Sequence, residues 1–257
     1  MIRFLFWNLN KKPLQKMLRR LVHHYDVDVL ILTECTIPPE TLLLTLNADE
    51  TLFHRTATEC RFVEVYTRFA PDLMGAIFER GRWTIRRLAL PARPDILVVA
   101  AHAVSKLHWS AESQSHECTV LANHIREEER RAGHTRTILV GDLNMNPFES
   151  GVVSSAGLNA VMTRSIAGRG SRRVQGRDYP FFYNPMWGFL GDRTSRVSGT
   201  YYRESHEHVV YYWYMFDQVL VRPGLLGRFP SEEVKIVTSV GKRSLLTEAG
   251  IPNPVSY

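Results

Sequence analysis

Residues 27–33, VDVLILT, are apolar but for Asp28 and the final Thr33 and run directly into Glu34. A near-continuous aliphatic run this short predicts a strand covered on both faces, which places the chain among folds whose sheets carry helices outside. Residues 2–8 repeat the design, mixing β-branched and aromatic side chains and ending on Asn8 and Asn10. Between the two runs Leu14, Met17, Leu18, Leu21 and Val22 recur at helical spacing behind Pro13, with Lys16, Arg19 and Arg20 on the opposite face. Both buried strands end in polar residues. In α/β sheets sites are built at such ends, so Asn8, Asn10 and Glu34 are candidates to converge.

Residues 38–46 predict a short helix, and residues 62–66, 74–79, 83–90 and 96–101 predict four successive strands forming a meander. Residues 113–131 carry the apolar stripe Cys118, Leu121, Ala122 and Ile125 and are closed by Gly133, so they predict a helix. A strand over 137–140 follows. Residues 164–177 hold five arginines among Gly and Ser without periodicity and predict a loop, while 201–221 and 234–240 return to strands rich in Tyr, Trp and Val. No internal repeat or long linker divides the 257 residues, and one domain over 1–257 is expected.

Apolar residues make up 44% and charged residues 23%, which excludes disordered, collagenous and coiled-coil classes. No apolar run approaches the roughly 20 residues a bilayer span needs, and Asn8 interrupts the N-terminal stretch before a signal-peptide core develops. No membrane association is expected. Three cysteines without CxxC spacing (Cys35, Cys60, Cys118) indicate neither a disulfide framework nor a zinc site and fit a reducing cytoplasm. The net charge of +6 favours polyanionic partners, and 26 of the 32 basic residues are arginine, whose planar fork matches phosphate oxygens. A GC-rich genome explains that bias equally well.

The strongest local signal is TILVGDLNMNPF, residues 137–148: a buried strand, a glycine, then Asp142 and Asn144 two positions apart. Period-two geometry places both side chains on one side of the strand. A carboxylate beside an amide suits a site where one group aligns or deprotonates a water and the other hydrogen-bonds a developing oxyanion. Taken alone, an Asp/Asn turn closed by Pro147 explains the motif as well.

Five motifs in order resemble those of the endonuclease/exonuclease/phosphatase superfamily, the DNase I-like phosphoesterases: WNLN at 7–10, LTE ending at Glu34, Ala101-His102, GDLN at 141–144 and FDQVLV at 216–221. The resemblance spans nearly the whole chain. It implies a four-layered α/β sandwich, two packed mixed β-sheets flanked by helices, and phosphoester hydrolysis assisted by Mg²⁺ or Mn²⁺. It implies Glu34 as the metal ligand, with Asn8 and Asn10 orienting the metal shell or a phosphate oxygen. Asn10 stands where many relatives carry a carboxylate. His102 would hydrogen-bond the phosphate, Asp142 would align or activate the attacking water, Asn144 would stabilise the transition state, and Asp217 would orient a catalytic histidine. Relatives finish with a Ser-Asp-His-x-Pro block. The sequence stops at IPNPVSY, residues 251–257, which looks like its lead-in, so a continuation past Tyr257 is expected.

The substrates the superfamily offers are DNA, RNA, an inositol phosphate or a phospholipid head group, and charge leans toward nucleic acid. Arg169, Arg172 and Arg173 would track a phosphate backbone, and the aromatic run 179–187, Trp187 included, would stack bases or pack beneath the arginine loop. A divalent-metal-dependent nuclease is the first reading. A phosphatase or phosphodiesterase on a small or lipid-linked phosphate, and a non-catalytic nucleic-acid-binding relative, are the others. His206 and His208, flanked by Glu204 and Glu207, read as a solvated hairpin tip. No protein partner is indicated, and the sequence leaves the oligomeric state open.

Overall fold

The computed structural model describes residues 1–49, 52–192 and 197–253; residues 254–257, on which the expected continuation past Tyr257 bears, lie outside them. The chain forms two compact units, residues 1–95 with 237–257, and residues 96–236.

In the first unit β1 (Phe4–Asn8) leads into α1 (Gln15–His24), which returns the chain to β2 (Val29–Thr33). The two strands pair in parallel, Phe4 opposite Val29 and Asn8 opposite Thr33. Every residue of β2 is buried, as its unbroken apolar run requires. Helix α1 presents Met17, Leu18, Leu21 and Val22 inward, and fully burying a leucine such as Leu18 contributes about 1.5–3 kcal/mol. Next come α2 (Pro39–Leu46), β3 (His54–Arg55) and β4 (Val63–Thr67), giving the sheet order β1-β2-β4-β3. Strand β4 runs antiparallel to β2 with Val63 opposite Thr33. β5 (Met74–Arg80) and β6 (Trp83–Leu88) pair antiparallel outside that four-stranded sheet, with a bulge between Ala76 and Phe78. The expected meander is therefore broken after its first strand. Alternation in 62–66 specifies a strand and carries no information on which sheet receives it.

The second unit opens with β7 (Ile96–His102) and the 22-residue α3 (Ala111–Ala132). The Ser110 hydroxyl caps α3 by accepting from the Ser113 N–H, and Gly133 ends it at φ 69°, the left-handed conformation that favours glycine. β8 (Thr137–Asp142) follows, then the one-turn helices α4 (Ser150–Val153) and α5 (Arg164–Ala167) on either side of β9 (Ala160–Val161). β10 (Ser171–Val174), β11 (Arg177–Pro180), β12 (Phe182–Tyr183), β13 (Tyr201–Tyr202), β14 (Trp213–Tyr214) and β15 (Asp217–Val221) complete it. The strands of its sheet lie in the order β7-β8-β15-β12-β9. β7 and β8 are parallel, and β15 is antiparallel to β8.

Residues 164–177 are not a loop. They hold α5 and most of the β10–β11 hairpin, whose turn is Gln175 and Gly176, both left-handed at φ 49° and 79°. The turn chemistry was masked by the arginines around it. Residues 234–240 are not a strand either, except for Ser239–Val240, which pairs with Arg243–Ser244. Their β-branched residues find no longer ladder. Among the described residues no helix is long and apolar enough to cross a membrane.

Candidate active-site residues

In the first unit, β1 and β2 are parallel, so the polar residues that end them arrive at one edge. The Asn8 amide nitrogen donates to Glu34 Oε1 at 3.3 Å, and the Asn8 carbonyl oxygen accepts the Asn10 N–H at 2.9 Å. The Lys11 N–H in turn donates to the Glu34 backbone carbonyl. Asn10, Lys11 and Glu34 all adopt left-handed backbone, at φ 46°, 59° and 47°. Three such non-glycine residues in two adjoining loops store strain, of a kind that clusters at functional sites. Glu34 is half-buried, and Asn8 fixes its carboxylate. Asn10 contributes its backbone N–H to this arrangement, and its side chain is exposed. One oriented carboxylate with an amide neighbour fits Mg²⁺, a hard ion held by one or two carboxylates while it retains several waters. Among the described residues no group of three or more His, Cys, Asp and Glu gathers into an all-protein cage.

In the second unit the register of three neighbouring strands sets three ionisable residues in a row. His102 pairs with Asp142 across β7 and β8, and Asp142 pairs with Asp217 across β8 and β15. His102 Nε2 lies 4.0 Å from Asp142 Oδ2, with both side chains nearly buried. Burial pushes the Asp217 carboxyl well above the usual carboxylate range, the negative charge of Asp142 pushes it further, and a Thr200 hydrogen bond opposes both.

Strand β8 ends at Asp142, so the two-residue period does not bring Asn144 to its side. A turn does so instead: Asn144 is left-handed at φ 49°, and its N–H donates to Asp142 Oδ1 at 2.8 Å. The Asn144 side-chain nitrogen donates to the Ala103 carbonyl at 3.1 Å, leaving its second hydrogen available. Gly141 has a steric cause. A Cβ there would stand 2.1 Å from the Ala101 carbonyl oxygen on β7, so only glycine lets β8 approach β7 closely enough for this register.

Several positioning residues escaped the sequence. Gln114 of α3 donates to the carbonyls of Val104 and Asn144. Gln218 donates to Met145 and Met215 while accepting from Asn184, and Asn146 accepts from the Met215 N–H. Glu149 accepts from Asn146 and pairs with Lys106. These buried amides satisfy the main chain of the loop after Asp142, which otherwise costs free energy to bury. An amide inside an apolar helix stripe or strand, as at 114 and 218, was their only signal.

The proposed substrate residues separate. Arg172 is exposed, and its guanidinium donates to Asn159 Oδ1 at 2.7 Å and the Val153 carbonyl at 3.1 Å, which ties the hairpin to the unit. Arg169 and Arg173 are exposed. Phe181 and Phe182 are buried, Phe182 beneath the Arg222 guanidinium that pairs with Glu129, so they pack and do not stack bases. Trp187 is half-buried and tilts against exposed Phe148 at 6.1 Å, beside Tyr211. His206 and His208 are exposed between β13 and β14, as the hairpin-tip reading has it. Burial raises the Cys35 thiol to about 11 and Cys118 to about 12, which disqualifies both as nucleophiles.

Two large mixed sheets with helices define the class, the DNase I-like α/β fold. The Endonuclease/Exonuclease/phosphatase family profile matches residues 5–236, and the chain belongs to that family. Its members are generally phosphoric ester hydrolases and typically depend on divalent metals. Among solved structures, D. rerio TDP2 complexed with single-strand DNA product is similar at 18% identity and TM-score 0.51, covering 86% of this chain and 83% of that one. Truncated Caenorhabditis elegans TDP2 matches at 13% identity and TM-score 0.52, covering 86% and 84%. An endonuclease/exonuclease/phosphatase family protein from Leptotrichia buccalis matches at 12% and 0.52, covering 86% and 87%. At these identities the likeness concerns the fold. A sequence comparison with curated proteins gives no match.

Proposed function

We propose that this protein is a divalent-cation-dependent phosphodiesterase that cleaves nucleic acid. The observation that carries the reading is the row His102, Asp142, Asp217 with Asn144 turned onto Asp142, because it supplies both halves of phosphoester hydrolysis at one end of one sheet. Asp142, fixed through the Asn144 N–H, aligns the attacking water and takes its proton. The second hydrogen of the Asn144 amide and the His102 imidazole donate to phosphoryl oxygens as charge develops on them. Asp217, held toward its protonated form, keeps the negative charge beside Asp142 low. When bound, the divalent cation neutralises phosphoryl charge. In the first unit Glu34, oriented by Asn8, is an oxygen donor of the kind such a cation takes.

Nucleic acid is favoured by the net charge of +6 and by exposed aromatic rings around Phe148, Tyr201 and Tyr211, surfaces on which bases stack. The DNA product held by D. rerio TDP2 points the same way. Purified protein incubated with single-stranded DNA, RNA, supercoiled plasmid and a chromogenic phosphodiester, in Mg²⁺, Mn²⁺ or chelator, tests the proposal. Cation-dependent cutting of a polynucleotide supports it; turnover of the small diester alone removes the nuclease assignment.

A further inference from the structure

Unit 1 carries six arginines in ion pairs: Arg3 and Arg68 with Asp26, Arg19 with Asp49, Arg55 with Glu64, Arg86 with Glu79 and Arg87 with Asp95. Arg61, Arg80 and Arg82 behave differently. Among the described residues none of them has a carboxylate within ion-pair reach, and each is laid on an aromatic ring. Arg61 and Arg82 lie over the same ring, Phe62, at 5.5 and 4.4 Å from its centre, and Arg80 lies over Trp83 at 5.4 Å. Like charges sharing one ring repel, so the arrangement holds uncompensated positive charge. A guanidinium stacked on a ring keeps its N–H edges in its own plane, available to an anion.

Their place in the fold matters as much. Val63 of β4 stands opposite Thr33 of β2, so Phe62 and Arg61 flank the edge where Glu34 and Asn8 sit. The Phe62 N–H donates to the Gly81 carbonyl, which fixes the Arg80-Gly81-Arg82 turn at that same edge. The thiol of Cys60 contacts the Gly81 carbonyl, and Glu79 accepts from Thr58 and the Glu59 N–H, strapping residues 58–62 to the turn.

We propose that Arg61, Arg80 and Arg82 form the surface of unit 1 along which the phosphate backbone of a polynucleotide runs to the Glu34 edge. The proposal rests on the nucleic-acid reading above and places the backbone contacts on this unit instead of on the arginines of residues 164–177. Three guanidiniums distributed over two rings, Phe62 and Trp83, offer several sets of donors, which suits the repeated phosphates of a strand.

The test is binding of a fluorescently labelled single-stranded DNA 12-mer, measured by anisotropy across a NaCl series in chelator, so that the readout does not depend on hydrolysis. Arg61→Gln/Arg80→Gln changes two exposed residues, and adding Arg82→Gln extends the series, with melting curves recorded for each. Each lost phosphate contact lowers the slope of log K against log salt by about 0.7, so the double variant is expected to lose about 1.4 and the triple about 2. Arg169→Gln/Arg173→Gln is expected to change it far less. A slope unchanged in the folded double variant overturns the proposal, as does retained DNA binding with lost binding to phosphatidylserine vesicles. Slope loss in a protein that hydrolyses no phosphodiester upholds the surface and instead removes the catalytic reading.

Discussion

Asp142 and Asp217 stand directly opposite one another on adjacent antiparallel strands, two carboxylates on one side of one sheet. Both cannot carry full charge at low cost, and the cost falls on Asp217, which burial already disfavours as an anion. Asp217 therefore binds its proton more tightly in the folded chain than in the unfolded one. His102, the other ionisable group in the row, lies beyond Asp142.

The first prediction follows from that linkage. A carboxyl raised on folding stabilises the protein relative to neutral conditions when pH lies below the unfolded value of about 3.9, and stability falls as pH rises from there through the folded-state value. Asp217→Asn removes that falling component. Urea midpoints measured from pH 4 to 8 are expected to decline less in the variant than in the wild type. Parallel curves would show that folding does not raise the Asp217 carboxyl.

Gly141→Ala places a methyl against the Ala101 carbonyl, where backbone and not a flexible side chain must move. A loss of about 1–3 kcal/mol is expected by chemical denaturation, together with reduced turnover, because the same ladder sets Asp142 beside His102. An alanine variant of wild-type stability would contradict the register.

How much of this was visible beforehand divides by the range of the interaction. Glu34 and Asp142 stand at the ends of strands whose apolar runs are local in sequence, whereas Asp217 entered through the family resemblance alone. That Asp142 and Asp217 are partners needed the register of β8 and β15, which no local pattern encodes. Asn144 was placed beside Asp142 by a strand period, where the structure brings its N–H onto the carboxylate through a left-handed turn. Arg172 was read from its charge alone, and a partner such as Asn159 has no signal in the sequence. Arg61, Arg80 and Arg82, dispersed in sequence, form a cluster only once β4 meets the turn between β5 and β6.

Asp142→Asn and Asn144→Ala are each expected to lower turnover about 10²- to 10⁴-fold with little change in DNA binding, because their contacts strengthen as charge moves in the reaction. Steady-state kinetics beside chelator-arrested binding separates the two effects. A loss confined to binding would contradict the roles given them.

Arg172→Ala is expected to cost about 1–2 kcal/mol of stability by freeing Asn159 and the Val153 carbonyl, while leaving the salt dependence of DNA binding unchanged. A lower slope without destabilisation would return this arginine to the substrate.

The central claim is that Glu34, held by Asn8, supports cation-dependent phosphodiester cleavage. Hydrolysis of single-stranded DNA by wild type and Glu34→Gln, titrated with Mn²⁺ from chelator upward, tests it most directly. The substitution keeps size and hydrogen bonding and removes one charge at a strand end, so the fold is expected to persist. Activity that rises with Mn²⁺ in the wild type and is lost, or needs at least tenfold more cation, in the variant is the predicted result. Superimposable Mn²⁺ curves for the two proteins would contradict it.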